Sequence, residues 1–215
     1  MSHSVTALTL IGTVPVIPVI VVDDLATAVP LARALVEGGL RVLEVTLRTP
    51  VALDAVRAIR AEVPDATVGV GSVIEPRQFA LAAGAGAVFA VSPGATPSLI
   101  EAAGDSPMAW LPAAQTVSEV LALRAAGYRF QKFFPAEAAG GVAFLRSLAG
   151  PVPDVHFCPT GGIDLGRAPT YLGLPTVRCV GGSWMCGAAL VRKQRWDDIR
   201  TQAKEAAALR TAQAK

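Results

Sequence analysis

Lys132 stands in the run Phe130-Gln131-Lys132-Phe133-Phe134-Pro135, a basic residue among aromatic side chains. An ammonium is costly to desolvate in such a setting, and attack on a carbonyl carbon requires the neutral amine. The chemistry open to this residue is imine formation. A lysine that only snorkels its head out of a structural strand is the plainer alternative. A second polar set lies in Val42-Leu43-Glu44-Val45-Thr46-Leu47-Arg48. Side chains alternate along a strand, so Leu43, Val45 and Leu47 share one face and Glu44, Thr46 and Arg48 share the other. The apolar face belongs under helices. Glu44 and Arg48 then face away from them, a carboxylate able to move protons and a guanidinium able to grip an anion. A buried Glu–Arg pair that merely joins strands is the structural alternative.

Two glycine pairs close later strands, in Pro159-Thr160-Gly161-Gly162 and in Gly181-Gly182-Ser183. Paired glycines let backbone N–H groups approach an anion closely, and a Cβ at Gly162 or Gly182 would stand in the anion's path or forbid the backbone angles. Glycine pairs are also ordinary turn elements. Ser72 and Pro93-Gly94 follow two further strands and complete a ring of candidate site residues, although Ser72 could equally cap a helix starting at Pro76.

These residues need a frame that gathers strand ends. Short apolar runs at Val14–Val21, Val42–Thr46, Thr67–Gly71, Ala87–Val91, Ala109–Ala113, Phe130–Phe134, Val155–Pro159 and Val177–Gly181 read as strands. Helical patterns lie between them, at Leu25–Gly38, Pro50–Val63, Pro76–Ala83, Pro97–Ala103, Thr116–Ala126, Gly141–Ala149 and Leu165–Leu172. A charged helix runs from about Arg195 to Ala212. Pro50, Pro76 and Pro97 sit where a first-turn proline belongs, and Gly38-Gly39 where a helix C-cap belongs. Eight strands alternating with helices predict an α/β fold, a (β/α)8 barrel built as one domain over residues 1–215. An open doubly wound sheet would carry a Gly-rich turn after its first strand, and VIPVIVVDDLA has none. The segment Ser4–Gly12 is expected to be a short helix closing the barrel floor. In such barrels chemistry sits at the strands' C-terminal ends.

Composition narrows the classes further. Apolar residues make up 52% and charged residues 17%, ample for a core, and the net charge of +2 comes from scattered basic residues. No broad basic field for nucleic acid or a membrane surface is expected. The apolar stretch Val14–Val22 is about half of the ~20 residues a membrane span needs and carries two prolines. The first residues lack the pattern of a signal peptide. Cys158, Cys179 and Cys186 form no CxxC, and His3 and His156 are the only histidines, so reduced thiols in the cytoplasm and no metal site are expected.

The runs VPVIPVIVVDDLATAVPLARALVEGGLRVLEVTLRT, FFPAEAAGG, FCPTGGI and VGGSW resemble the 2-keto-3-deoxy-6-phosphogluconate (KDPG) aldolases, which overlap with the 4-hydroxy-2-oxoglutarate (KHG) aldolases. The resemblance spans about Val14 to Trp196. It implies a (β/α)8 lyase, typically a homotrimer, that splits KDPG into pyruvate and glyceraldehyde 3-phosphate in the Entner–Doudoroff pathway without cofactor or metal. Carried over by motif, Lys132 is the Schiff-base residue, Glu44 transfers protons and Arg48 grips the pyruvate carboxylate. Thr160 contacts the sugar part, and Gly161, Gly162, Gly182 and Ser183 cradle the phosphate. Ser72, Pro93 and Phe134 complete the substrate-binding set. Three departures bear on substrate preference. Ser72 stands where the family usually has threonine, Pro112-Ala113-Ala114-Gln115-Thr116 replaces a motif with glycine after the proline, and Gln131 replaces an apolar residue. Activity on the galactonate epimer or on KHG, and a non-covalent phosphosugar-binding or isomerase barrel, are the alternative functions.

Overall fold

In a computed structural model, residues 3–209 are described. The chain opens with helix α1 (His3–Ile11) and then alternates strand and helix: β1 (Val16–Ile20), α2 (Ala28–Glu37), β2 (Val42–Thr46), α3 (Ala52–Glu62), β3 (Thr67–Gly71), α4 (Arg77–Gly84), β4 (Phe89–Val91) and α5 (Pro97–Gly104). It continues through β5 (Ala109–Leu111), β6 (Ala113–Ala114), α6 (Val117–Ala125), β7 (Phe130–Phe133), α7 (Gly141–Leu148), β8 (His156–Pro159), α8 (Ala168–Leu172), β9 (Val180–Gly182), α9 (Ala188–Arg192) and α10 (Trp196–Ala207). The charged helix expected over about Arg195–Ala212 ends at Ala207 with Ala208 as its cap, and residues 210–212 lie outside the described residues.

All recorded strand pairings are parallel, and the sheet curls. Its hydrogen-bonded ladders run β5-β4-β3-β2-β1-β9 and β6-β7-β8. The break between them falls at Pro112, inside the run expected as one strand. Proline has no N–H to give the ladder, though its carbonyl still accepts from Lys132 N at 2.8 Å. On the other side, single bridges join Phe157 to Val177 and Thr160 to Gly181. The expected strand Val177–Gly181 is thus reduced to a bridge followed by Val180–Gly182.

Helix ends follow local chemistry. Thr96 accepts from Leu99 N with Pro97 in the first turn, and Thr116 and Glu119 make a reciprocal capping box. Pro76 takes the cap position rather than the first turn, and Pro50 falls in the turn ahead of α3, whose cap residue is Val51. Residues 25–27 form a 3-10 turn capped by Asp24 instead of the first turn of α2.

Two apolar layers hold the fold. Outside the sheet, Leu43, Val45, Val68 and Val70 pack with the helices. Inside it, Ile17, Val42, Phe89, Ala109 and Phe130 meet Ala7 and Ile11 of α1, which covers the N-terminal end of the strands as expected. Burying Ile11 there contributes about 1.5–3 kcal/mol. Gly69 on β3 makes room for the Phe89 ring, since a Cβ at that position would lie 2.4 Å from it.

Gly38 caps α2 and Gly39 follows at φ +95°, as the glycine pair predicts. Gly38 also lets α10 cross closely: a Cβ there would lie 2.4 Å from Ala203 Cβ and 2.8 Å from Arg200 O. Gly38→Ala is expected to destabilise the protein by about 1–3 kcal/mol through overpacking. Ala203→Gly in the same chain should recover part of the loss, read by urea unfolding. A variant as stable as wild type would show that the helix crossing does not depend on this glycine.

Candidate active site

Lys132 lies on β7 with its side chain inside the curled sheet, 7% exposed, and its Nζ donates to Glu44 Oε1 at 3.2 Å. Glu44 comes from β2, 88 residues away in sequence, and its side chain is 4% exposed. Glu44 faces away from the helices, as the alternation along its strand predicts. The structure joins Glu44 and Lys132 directly and leaves Glu44 and Arg48 unpaired with each other. The Lys132 ammonium also stands 5.4 Å from the centroid of the Phe134 ring, within reach of a cation–π contact.

Space for the Glu44 carboxylate comes from Gly71, the last residue of β3. A Cβ at Gly71 would lie 2.1 Å from Oε1. Gly69 and Gly71 share one face, and two glycines spaced that way in a strand are the signal in the sequence for a close approach. Thr46, the third polar residue of its face, is fully buried and donates to Ile20 O at 2.9 Å, tying β2 to β1.

Arg48 extends past the end of β2 and its Nε donates to Ser72 Oγ at 2.8 Å. Ser72 has φ +59°, and its hydroxyl is held by Arg48 rather than by a helix end. The turn before α4 is closed instead by Gln78 Oε1, which accepts from Ile74 N and Glu75 N. Pro93 is exposed, two residues beyond β4, and no recorded contact ties it to Lys132 among the described residues.

Thr160 is 6% exposed, and its Oγ1 lies 4.0 Å from Cys158 Sγ. A Cβ at Gly181 would lie 2.3 Å from that hydroxyl, so Gly181 makes room for it. Gly161 and Gly162 have φ of +108° and +77°, backbone angles that favour glycine. At Gly162 the backbone angle is itself one that favours glycine, as expected, whereas the Cβ directions at Gly162 and Gly182 differ from the anion's path expected for them. A Cβ at Gly162 would run into Glu137 Cγ at 2.7 Å, and one at Gly182 into the Trp184 ring at 1.9 Å. Protein neighbours, not an anion's path, occupy those directions. The backbone is nevertheless free on its other side. Among the described residues, the N–H groups of Gly161, Gly162 and Ile163 meet no protein acceptor. Ser183 is exposed at the next strand end.

Cys179 and Cys158 complete the inner wall beside this pair. The hydrogen bond with Cys158, then burial, holds the Cys179 thiol well above its usual range. Burial alone pushes Cys186 up to about 12. All three cysteines are free and buried. Among the described residues, no group of three or more His, Cys, Asp or Glu side chains is placed to hold a metal ion. No helix among them is long and apolar enough to cross a membrane.

A buried lysine facing a carboxylate inside a curled parallel sheet pairs an amine with a group that can take its proton, a combination suited to chemistry at a carbonyl carbon. Comparison with known proteins specifies the class. The family model for KDPG and KHG aldolases matches residues 9–202. The chain is 50% identical over 194 residues to a 2-dehydro-3-deoxy-phosphogluconate aldolase of Pseudoalteromonas atlantica, covering 90% of both chains. It is 50% identical over 201 residues to the KHG/KDPG aldolase of Escherichia coli, covering 94% of both. Among solved structures, KDPG aldolase from Legionella pneumophila, with pyruvate captured as a covalent carbinolamine, superposes with a TM-score of 0.92 at 42% identity over 97% of this chain and 99% of that one. The aldolase of Zymomonas mobilis with 3-phosphoglycerate gives 0.90 at 44% identity, over 96% and 97%. The chain belongs to the KDPG and KHG aldolase family, and it is an aldolase.

Gly71→Ala is expected to push the Glu44 carboxylate away from Lys132 and cut aldolase turnover by roughly 10²-fold, the cost of about an ångström of misplacement. Gly69→Ala, one step down the same face, meets Phe89 instead and should lower stability more than turnover. Steady-state kinetics and urea unfolding on both variants separate the two, and unimpaired turnover in Gly71→Ala would count against the packing account of Glu44.

Proposed function

We propose that this protein splits 2-dehydro-3-deoxy-6-phosphogluconate into pyruvate and glyceraldehyde 3-phosphate through a Schiff base on Lys132, in the Entner–Doudoroff pathway. The observation that carries the reading is the buried Lys132 amine 3.2 Å from the Glu44 carboxylate. Glu44 accepts the ammonium's proton, and the free amine attacks the C2 carbonyl to give a carbinolamine. Glu44 returns that proton to the carbinolamine hydroxyl, which leaves as water, and the iminium that remains is an electron sink. The C4 hydroxyl then gives its proton to Glu44, directly or through water, as the C3–C4 bond breaks and its electrons pass into the iminium to form an enamine. The aldehyde departs, Glu44 protonates the enamine at C3, and water hydrolyses the imine to release pyruvate and the amine.

The other residues position the substrate. Arg48 holds the keto acid's carboxylate, a charge-assisted contact that fixes the iminium plane, and Ser72 steadies Arg48 through its hydroxyl. Phe134 covers one side of the reacting centre, Pro93 forms part of the rim and Thr160 contacts the hydroxylated carbons. The phosphate is read by the acceptor-free N–H groups of Gly161 and Gly162, with Gly182 and Ser183 from the neighbouring strand end. No cofactor or metal enters these steps. Cleavage of 4-hydroxy-2-oxoglutarate is the second reading, favoured because the family described covers both substrates and the Escherichia coli relative carries both in its name.

The same reading takes the chain as one domain whose sheet closes as an eight-stranded barrel. The bridges Phe157–Val177 and Thr160–Gly181 and the bond from Lys132 N to Pro112 O support that closure across the gaps in the ladders. A cytoplasmic setting is supported by three free buried thiols, and a homotrimer by the family resemblance.

Two experiments bear on the chemistry. Pyruvate with borohydride is expected to label wild type at Lys132 alone. Lys132→Ala should abolish both label and cleavage, and Lys132→Arg should be equally inactive because a guanidinium cannot form the imine. A label that persists in Lys132→Ala refutes the assignment. Glu44→Gln keeps the shape but cannot transfer protons, so exchange of pyruvate methyl protons with deuterated solvent should slow by roughly 10²–10⁴-fold. Unchanged exchange moves the proton transfer to another group.

A further inference from the structure

Glu137 takes no part in the cleavage above, yet its carboxylate lies where two loops meet. One loop, residues 134–140, leaves β7 directly after the Lys132 strand. The other, residues 160–167, carries the glycine pair. Tyr171, 1% exposed, donates its hydroxyl to Glu137 Oε1. Burial, then the hydrogen bond and charge of Glu137, hold the phenol well above its usual range, so it remains a donor. Glu137 Oε2 lies 3.5 Å from Arg167 Nε, and Arg167 Nη1 donates to Gly162 O at 3.3 Å and to Asp164 Oδ2 at 2.8 Å. A Cβ at Gly141, which has φ +57°, would lie only 3.0 Å from the Tyr171 hydroxyl oxygen, so glycine there leaves that hydroxyl room.

The backbone adds the decisive geometry. Ala136 N donates to Thr160 O at 2.8 Å and Glu137 N to Gly161 O at 3.1 Å. With Arg167 on Gly162 O, three successive carbonyls are held from one side. In a planar trans peptide the C=O and the following N–H point in opposite directions. Fixing the carbonyls of Thr160, Gly161 and Gly162 therefore aims the N–H groups of Gly161, Gly162 and Ile163 the other way, and these are the three without a protein acceptor. Two of the three anchors are main-chain donors. The third depends on side chains, through Arg167, Glu137 and Tyr171 in turn.

We propose that Tyr171, Glu137 and Arg167 are positioning residues that orient this row of N–H groups and so determine the preference for a phosphorylated over an unphosphorylated keto acid. The inference rests on the phosphate reading of Gly161 and Gly162 given above. None of the three side chains reaches the reacting carbons; they act through the Gly162 peptide.

Tyr171→Phe removes one hydroxyl and should raise KM for the phosphorylated substrate about tenfold, the equivalent of a lost hydrogen bond to a charged group. Its kcat, the kcat/KM for 4-hydroxy-2-oxoglutarate and the rate of pyruvate trapping by borohydride should stay within about twofold of wild type. Glu137→Ala should behave alike, while Glu137→Gln, which keeps an acceptor for Tyr171, should recover part of the loss. Competitive inhibition by inorganic phosphate should weaken in the same proportion as KM rises. Arg167→Met, at a half-exposed side chain, supplies the same measurement if the buried tyrosine variant does not fold. An unchanged substrate ratio in all these variants, with phosphate still competing, overturns the positioning role alone. Equal loss on both substrates also overturns it, leaving a purely structural cluster. If wild type shows neither a preference for the phosphorylated substrate nor competition by phosphate, the phosphate reading fails and this inference fails with it.

Discussion

The ion pair between Lys132 and Glu44 is the constraint around which the interior is arranged. Both charges sit inside the sheet, and removing either partner from a buried pair typically costs about 3–5 kcal/mol because the other is left uncompensated. An apolar pair of similar volume would hold the fold at least as well. The pair is therefore poorly explained by stability, and its retention is better explained by what an amine and a carboxylate can do together. The surroundings comply with that demand. Gly71 yields the volume the carboxylate occupies, and the Phe134 ring lies near the ammonium. The Cys158 and Cys179 side chains line the neighbouring wall.

A gradient along the strands separates structure from chemistry. Nearer their N-terminal ends, Ile17, Val42, Phe89, Ala109 and Phe130 fill the interior with apolar volume, and Gly69 shows how closely they fit. One step further, Glu44, Lys132 and Thr160 take over the same inward positions. Beyond the strands only loops remain, and there Arg48, Ser72 and the Gly161–Gly162 turn point polar groups into open space. Anchorage of the Gly161–Gly162 turn comes from behind, through Glu137, Arg167 and Tyr171.

Much of this was legible in the residues, and the gaps have physical causes. β2 and β3 fall on the expected residues because alternation and apolar runs are strong local signals. Pro112 was visible as a residue that cannot donate to a ladder, and its meaning for the fifth strand was still overlooked. The five-residue α9 is too short to carry a period. The inward facing of Glu44 follows from local alternation and Lys132 stands out by its aromatic neighbours, whereas their contact across 88 residues depends on the curl of the sheet and no local pattern encodes it. Gly162 and Gly182 were recognised as special, but which neighbour excludes a side chain there, Glu137 or Trp184, is a three-dimensional fact. Glu137 lay within a recognised motif and had no assigned task, since its partners Arg167 and Tyr171 arrive from the loop and helix that follow another strand.

Helix α1 has a consequence for traffic. By packing Ala7 and Ile11 into the lower interior it stops one end of the well, so everything that enters must leave by the route it came. If the proposed imine forms on Lys132, the fragment it holds is the deeper one and the severed aldehyde the outer one. Departure would then be ordered, the outer piece clearing before water reaches the imine and frees the lower one. The enamine would stay covered while the aldehyde is still there to recombine with it, and the bond-forming direction would inherit the same order of loading.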